Sequence, residues 1–168
     1  MHAYLAEFIG TALLILLGNG VVANVVLPQT KGHASGWIVI SFGWAMAVFV
    51  AVWCTAAASG AHLNPAVTIG LVAANKFASA KAIPYIIAQL AGAIVGATLV
   101  YLFYRDHYAV SDDPGARGCV GRMVSVAGAV VVFSDAVNNV SIGVTSCSAP
   151  MGPPDVLVTV AVCAGGSG

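Results

Sequence analysis

The chain has 168 residues, of which 60% are apolar and only 7% charged, and its formal net charge is zero. An ordinary soluble domain carries about 25% charged residues, so this chain cannot coat itself with solvated groups, and a lipid-facing surface is implied. The neutral balance gives no footprint for nucleic acid, and the four cysteines at 54, 119, 147 and 163 form no CxxC pair, which leaves neither a zinc site nor a disulfide framework.

The first apolar run goes from about Tyr4 to Leu27. No Lys or Arg precedes Lys31, whereas a cleavable signal needs a basic start and an apolar stretch of about 7–15 residues. The run is therefore expected to stay in the membrane. It carries Glu7, Asn19 and Asn24, so one of its faces must meet protein rather than lipid. A short polar loop, Pro28 to His33, separates it from a second run, Trp37 to Ala58, with Trp37 and Trp53 near its ends, where interfacial aromatics belong. A third run goes from Ile83 to Tyr104 and carries a GxxxG pair, Gly92 and Gly96, with Ala88 one turn earlier. Such faces let helices approach closely in lipid.

Taken as spans 4–27, 37–58 and 83–104, the three runs are about 33–36 Å long as helices. That crosses a hydrocarbon core of about 30 Å with some tilt. Lipid cannot satisfy backbone N–H and C=O groups, so the runs must be helices rather than open strands. The charge pattern sets no orientation. With the N-terminus inside, Lys76 and Lys81 are inside and Lys31, Arg105, Arg117 and Arg122 are outside, which opposes the positive-inside rule.

Between the second and third runs, residues 59–82 carry the chemistry. Small and polar residues, Ser59-Gly60-Ala61-His62, lead into Leu63-Asn64-Pro65-Ala66-Val67-Thr68. Asn is among the best N-cap residues, and Pro is favoured at the first helical position, where its missing N–H would have no partner. Asn64-Pro65 thus starts a helix over about 64–73, roughly 15 Å long and half the bilayer thickness. A capped helix of that length is a re-entrant segment, and its irregular lead-in is tolerated only inside protein or beside a water-filled cavity. The carbonyls of Gly60, Ala61 and His62 would line a path. The positive end of the helix dipole faces it, and the Asn64 side chain caps with its oxygen while its NH₂ remains free to donate to a solute. This set favours neutral, oxygen-bearing solutes and opposes cations.

The stretch SGAHLNPAVTIG, residues 59–70, resembles the first signature loop of the major intrinsic protein family of membrane channels. Ala6-Glu7-Phe8-Ile9-Gly10-Thr11 resembles the family's opening, and Ala88-Gln89-Leu90-Ala91-Gly92-Ala93 its third-helix pattern. The resemblance covers residues 3 to about 116. It implies an all-α membrane protein, an aquaporin-like first half (1–116) with three transmembrane helices and one re-entrant half-helix, multi-pass in the cell membrane. Trp44, twenty residues before Asn64, falls on the family's selectivity-filter position, and a Trp there resembles the glycerol facilitators. By the same resemblance Glu7 accepts backbone N–H bonds from the re-entrant loop, Gln89 supports it, and Asn64, Pro65, Ala66, Gly60, Ala61 and His62 line the solute path. The implied activity is passive passage of glycerol and other small neutral solutes with some water conduction, without enzyme chemistry, cofactor or metal. The implied partners are the lipid bilayer and, for a complete fold, a homotetramer.

The pattern departs from the family in the tail. Family members carry a second, inverted half with its own NPA and a following arginine, and neither is present; Ser148-Ala149-Pro150-Met151 comes nearest. Residues 117–168 are rich in Gly, Val, Ser and Ala, and their apolar runs, Met123–Phe133 and Val156–Cys163, are too short to span. The tail is expected to be irregular, either disordered or the product of a shifted reading frame, and the alternative function is a truncated, non-conducting membrane fragment. From the residues alone Glu7 is also explained by snorkelling, Trp44 by ordinary packing, and a lone His62 by loop packing rather than metal binding. Gly18-Asn19-Gly20-Val21-Val22-Ala23 spells a dinucleotide fingerprint but lies inside a span without a preceding strand, so it is set aside.

Overall fold

The computed structural model describes residues 1–111 together with the backbone of 141–144 and 158–161. Four α-helices form the membrane part: α1 (Ala3–Val26), α2 (Trp37–Ser59), the short α3 (Pro65–Ala73) and α4 (Ala82–Ala109), the last preceded by a 3₁₀ turn at Ser79–Lys81. Helices α1, α2 and the Ser79–Ala109 segment are each long and apolar enough to cross a bilayer. The third span is longer than its apolar run because Arg105, Asp106 and His107 continue the helix beyond the point where hydropathy falls.

Helix α1 is central. It packs against both α2 and α4, while α3 rests on α4, and α1 carries the longest set of buried positions, from Ala6 and Glu7 through Val25. The outer faces of α2 and α4 expose Ile38, Phe42, Trp53, Ile83, Leu102 and Phe103. Exposed large apolar side chains in this density mark a lipid-facing surface.

Close approach holds the bundle together. A Cβ at Gly92 would collide with the backbone carbonyl of Phe8 on α1, and one at Gly96 would lie 2.5 Å from the Ala12 carbonyl oxygen. The GxxxG pair of α4 therefore rests directly on the α1 backbone. On the other side, Gly18 of α1 takes the Trp44 ring and Gly43 of α2 takes Val21. Lipid tails are as apolar as leucine, so helix association here draws on this contact rather than on a hydrophobic driving force.

Chain direction follows from the caps. The α1–α2 loop folds back on α1, with Thr30 Oγ1 donating to the Asn24 and Leu27 carbonyls and Ala34 N–H to the Val25 carbonyl. His107 Nδ1 lies 3.2 Å from the Pro28 carbonyl oxygen, which sets the last turn of α4 beside that loop. Lys31 and Arg105 are thus at one end of the bundle, and Lys76 and Lys81 at the other. Two basic residues at each end leave the described part without an orientation bias.

In the tail, β1 (Ser141–Val144) pairs antiparallel with β2 (Val158–Ala161), Ser141 opposite Ala161. The tail is therefore not irregular throughout. Ile142, Val144, Val158, Thr159 and Val160 are β-branched, a class that favours extended backbone. The expectation of a disordered or frame-shifted segment otherwise falls outside the described residues, as do Met123–Phe133, Arg117, Arg122 and the Ser148–Met151 phrase.

Candidate functional site: a braced loop at the head of a half-helix

The site begins where α2 ends. Gly60 caps α2 at φ 84° and donates its N–H to Ala56, a left-handed position that glycine adopts without steric cost. Ala61 and Leu63 follow at φ 50° and 52°. For residues with a Cβ, such conformations cost on the order of 1–3 kcal/mol each and persist only where the surroundings hold them.

Glu7 does the holding. It sits on α1 with no exposed surface. Its Oε1 accepts the His62 N–H at 2.9 Å, and its Oε2 accepts the Leu63 N–H at 2.7 Å and the Gln89 Nε2–H at 2.8 Å. All three partners are N–H donors, and both carboxyl oxygens serve as acceptors. Charge-assisted bonds of this kind are about twice as strong as neutral ones, which offsets the strained backbone. Snorkelling is excluded by the burial. Gly10, one turn along α1, leaves room for Leu63: a Cβ there would stand 2.5 Å from Leu63 Cδ2 and 2.9 Å from the Thr55 side chain.

The half-helix follows at once. Asn64, extended at φ −153°, accepts the Ala66 N–H on its Oδ1 at 2.9 Å, and Pro65 occupies the first turn. The Asn64 Nδ2 has no partner among the described residues. Neither do the carbonyl oxygens of Gly60, Ala61 and His62. The loop thus holds unpaired carbonyls and one unpaired amide donor at the positive end of α3, beside α1 and α4.

A second layer supports the first. Thr68, fully buried one turn into α3, donates to the Asn64 carbonyl at 3.2 Å and lies 3.0 Å from Gln89 Nε2 and 3.1 Å from His62 Nδ1. The Tyr85 hydroxyl donates to the Ser59 carbonyl at 3.0 Å, and the Ala61 N–H donates to Ser59 Oγ. The His62 ring packs against Phe77 and Tyr85, with centroids 4.7 and 5.0 Å away, and those two rings also touch each other. Among the described residues no group of His, Cys, Asp and Glu is placed to hold a metal.

The structure therefore brings together Glu7, Gly60, Ala61, His62, Asn64, Pro65, Ala66 and Gln89. Trp44 is not in this group. It lies fifteen residues before Ser59 on α2, about 22 Å along the helix axis, with its ring on Gly18 and beside the Ile15, Ala93 and Ala97 cluster. Thr68, Tyr85 and Gly10 were not singled out from sequence. The signal for Thr68 was available, since a residue four after the N-cap lies on the same helix face.

These features define a polytopic membrane protein with a re-entrant half-helix capped by Asn-Pro. The major intrinsic protein family model matches residues 1–147, past Ala116 and over most of the chain. The chain belongs to that family. It is 54% identical over 132 residues to a probable glycerol uptake facilitator protein of Thermotoga maritima, covering 77% of this chain and 56% of the relative. It is 46% identical over 117 residues to the glycerol uptake facilitator protein of Bacillus subtilis, covering 70% and 43%. Among solved structures it resembles the aquaglyceroporin from Plasmodium falciparum, with 42% identity and a TM-score of 0.62, covering 67% of this chain and 46% of that one. The chain spans about half the length of these relatives.

Proposed function

We propose that this chain forms one wall of a passive channel for glycerol and other small neutral solutes, with some water conduction, in the cell membrane. The carrying observation is the loop itself. Gly60, Ala61 and His62 present unpaired carbonyls, and Asn64 an unpaired amide, at the positive end of a half-length helix. A polyol passing such a row exchanges its hydroxyl bonds to water for bonds to fixed acceptors and one donor, while a cation meets the dipole's repulsive end. The names of the two bacterial relatives and of the solved aquaglyceroporin support glycerol as the solute. Trp44 is proposed as the apolar wall for the carbon face of glycerol, and a homotetramer as the assembly of the complete channel.

A second reading is a membrane segment that does not conduct by itself. It is favoured by the single half-helix among the described residues, against the paired halves of inverted-repeat transporters. Stopped-flow glycerol and water permeability of proteoliposomes holding the 168-residue chain separates the two. Permeability above that of empty liposomes supports the channel. Permeability equal to empty liposomes overturns conduction by this chain and supports the second reading.

A further inference from the structure

Thr68 has one hydroxyl proton and two lone pairs, and three neighbours within bonding distance. Gln89 Nε2 at 3.0 Å is a donor. Its orientation is fixed because the same nitrogen lies 2.8 Å from the Glu7 carboxylate, which only accepts; a flipped amide would set oxygen against oxygen. The Asn64 carbonyl at 3.2 Å is an acceptor and takes the Thr68 proton. The third neighbour, His62 Nδ1 at 3.1 Å, then meets a lone pair. Of the two neutral tautomers, only one makes all three contacts hydrogen bonds: Nδ1 carries the imidazole proton and donates to Thr68. The remaining ring nitrogen, Nε2, has no partner among the described residues.

We propose that Thr68 is a positioning residue that holds His62 in its Nδ1–H tautomer, leaving Nε2 as a bare hydrogen-bond acceptor beside the re-entrant loop. The free imidazole side chain in water prefers the opposite tautomer, so the Thr68 contact is what selects this one. The relay runs from Glu7 on α1 through Gln89 on α4 to Thr68 on α3, and it ties the same carboxylate that braces the loop backbone to the proton position on the loop's one ring. Thr68 and Gln89 are both buried to within 1%, where a misassigned proton leaves a polar atom unpaired at a cost that water cannot relieve. The use of that acceptor, as a contact for a solute hydroxyl or a water, rests on the channel reading; the tautomer does not.

The test is nitrogen-15 NMR of the full chain, labelled at histidine and held in lipid nanodiscs near pH 8, about 1.5 units above the ordinary imidazole pKa. The His62 signals are assigned as those lost in His62→Gln. The expected wild-type spectrum has Nδ1 protonated and Nε2 not. Thr68→Val, equal in shape but without the hydroxyl, is expected to move His62 to the Nε2–H form or to a mixture, and Thr68→Ser to restore the wild-type pattern. A wild-type Nε2–H signal overturns the proposal, even if neither variant folds. So does an unchanged tautomer in folded Thr68→Val. The expected tautomer in a chain that fails to conduct in liposomes upholds this inference and overturns the channel reading.

Discussion

Two regions of this molecule solve the problem of bringing backbone close to backbone, and they do so with opposite chemistry. At the α1–α4 seam, Gly92 and Gly96 meet the Phe8 and Ala12 carbonyls, both helices keep their internal hydrogen bonds, and no polar side chain is needed. At the re-entrant loop the backbone leaves helical geometry at Gly60, Ala61 and Leu63, and a buried carboxylate, an amide and a hydroxyl are recruited to hold it. Regular backbone in lipid needs only shape complementarity. Irregular backbone at the same depth needs its own donors and acceptors. Among the described residues, the buried polar side chains Glu7, His62, Asn64, Thr68 and Gln89 lie where that second condition applies.

The largest effect is expected from Gly92→Val at the seam. Its new atoms would meet backbone rather than a side chain that can turn aside, so a loss of about 3 kcal/mol or more is expected. Thermal unfolding in detergent, followed by circular dichroism, should show little folded protein; a wild-type melting curve would mean that the seam can open without cost. Next comes Glu7→Gln. A neutral amide cannot accept three N–H bonds, and one donor is left unpaired, for a loss of about 1.5–3 kcal/mol. The same variant should become sensitive to proteolysis between Ser59 and Asn64, a change the seam variant alone would not confine to the loop.

Asn64 separates structure from transport. Asn64→Ala removes the cap and should cost about 1 kcal/mol, whereas Asn64→Ser keeps a capping oxygen and should cost about 0.5 kcal/mol or less. Both lose the free amide. If the loop acts on solutes, both should lose glycerol permeability in a conducting assembly despite their different stabilities; permeability that tracks stability instead would reduce Asn64 to a cap. The smallest effect belongs to the lipid face. Phe103 is 74% exposed, and Phe103→Leu should change stability by less than about 0.5 kcal/mol. A larger loss there would show that this face is covered by protein.

Much of this comparison was legible in the residues. The GxxxG face on α4, the N-cap at Asn64 and the half-length of the helix after it all follow from local rules, because each depends on neighbours within a few positions. The second layer was not legible. Thr68 in an apolar run looks like a β-branched filler, and only the approach of Gln89, from another helix, gives its hydroxyl a purpose. Glu7 left two explanations open from the residues alone, and its burial against the His62 and Leu63 amides, fifty-five and fifty-six residues away, chose between them. The short β1–β2 pair in the tail was also missed, since the Gly- and Ser-rich surroundings of those β-branched residues mask a four-residue strand.

The sequence by itself determined the solvent, the number of long apolar helices and the capped half-helix. Composition and local periodicity fix those properties without reference to distant residues. Tertiary structure alone decided which polar atoms are spent and which are left bare. Pairing is a property of three-dimensional neighbours: Glu7 takes the His62 and Leu63 N–H groups and Gln89 donates to one Thr68 lone pair, while the carbonyls from Gly60 to His62 and the amide of Asn64 are among the atoms left without a partner in the described residues.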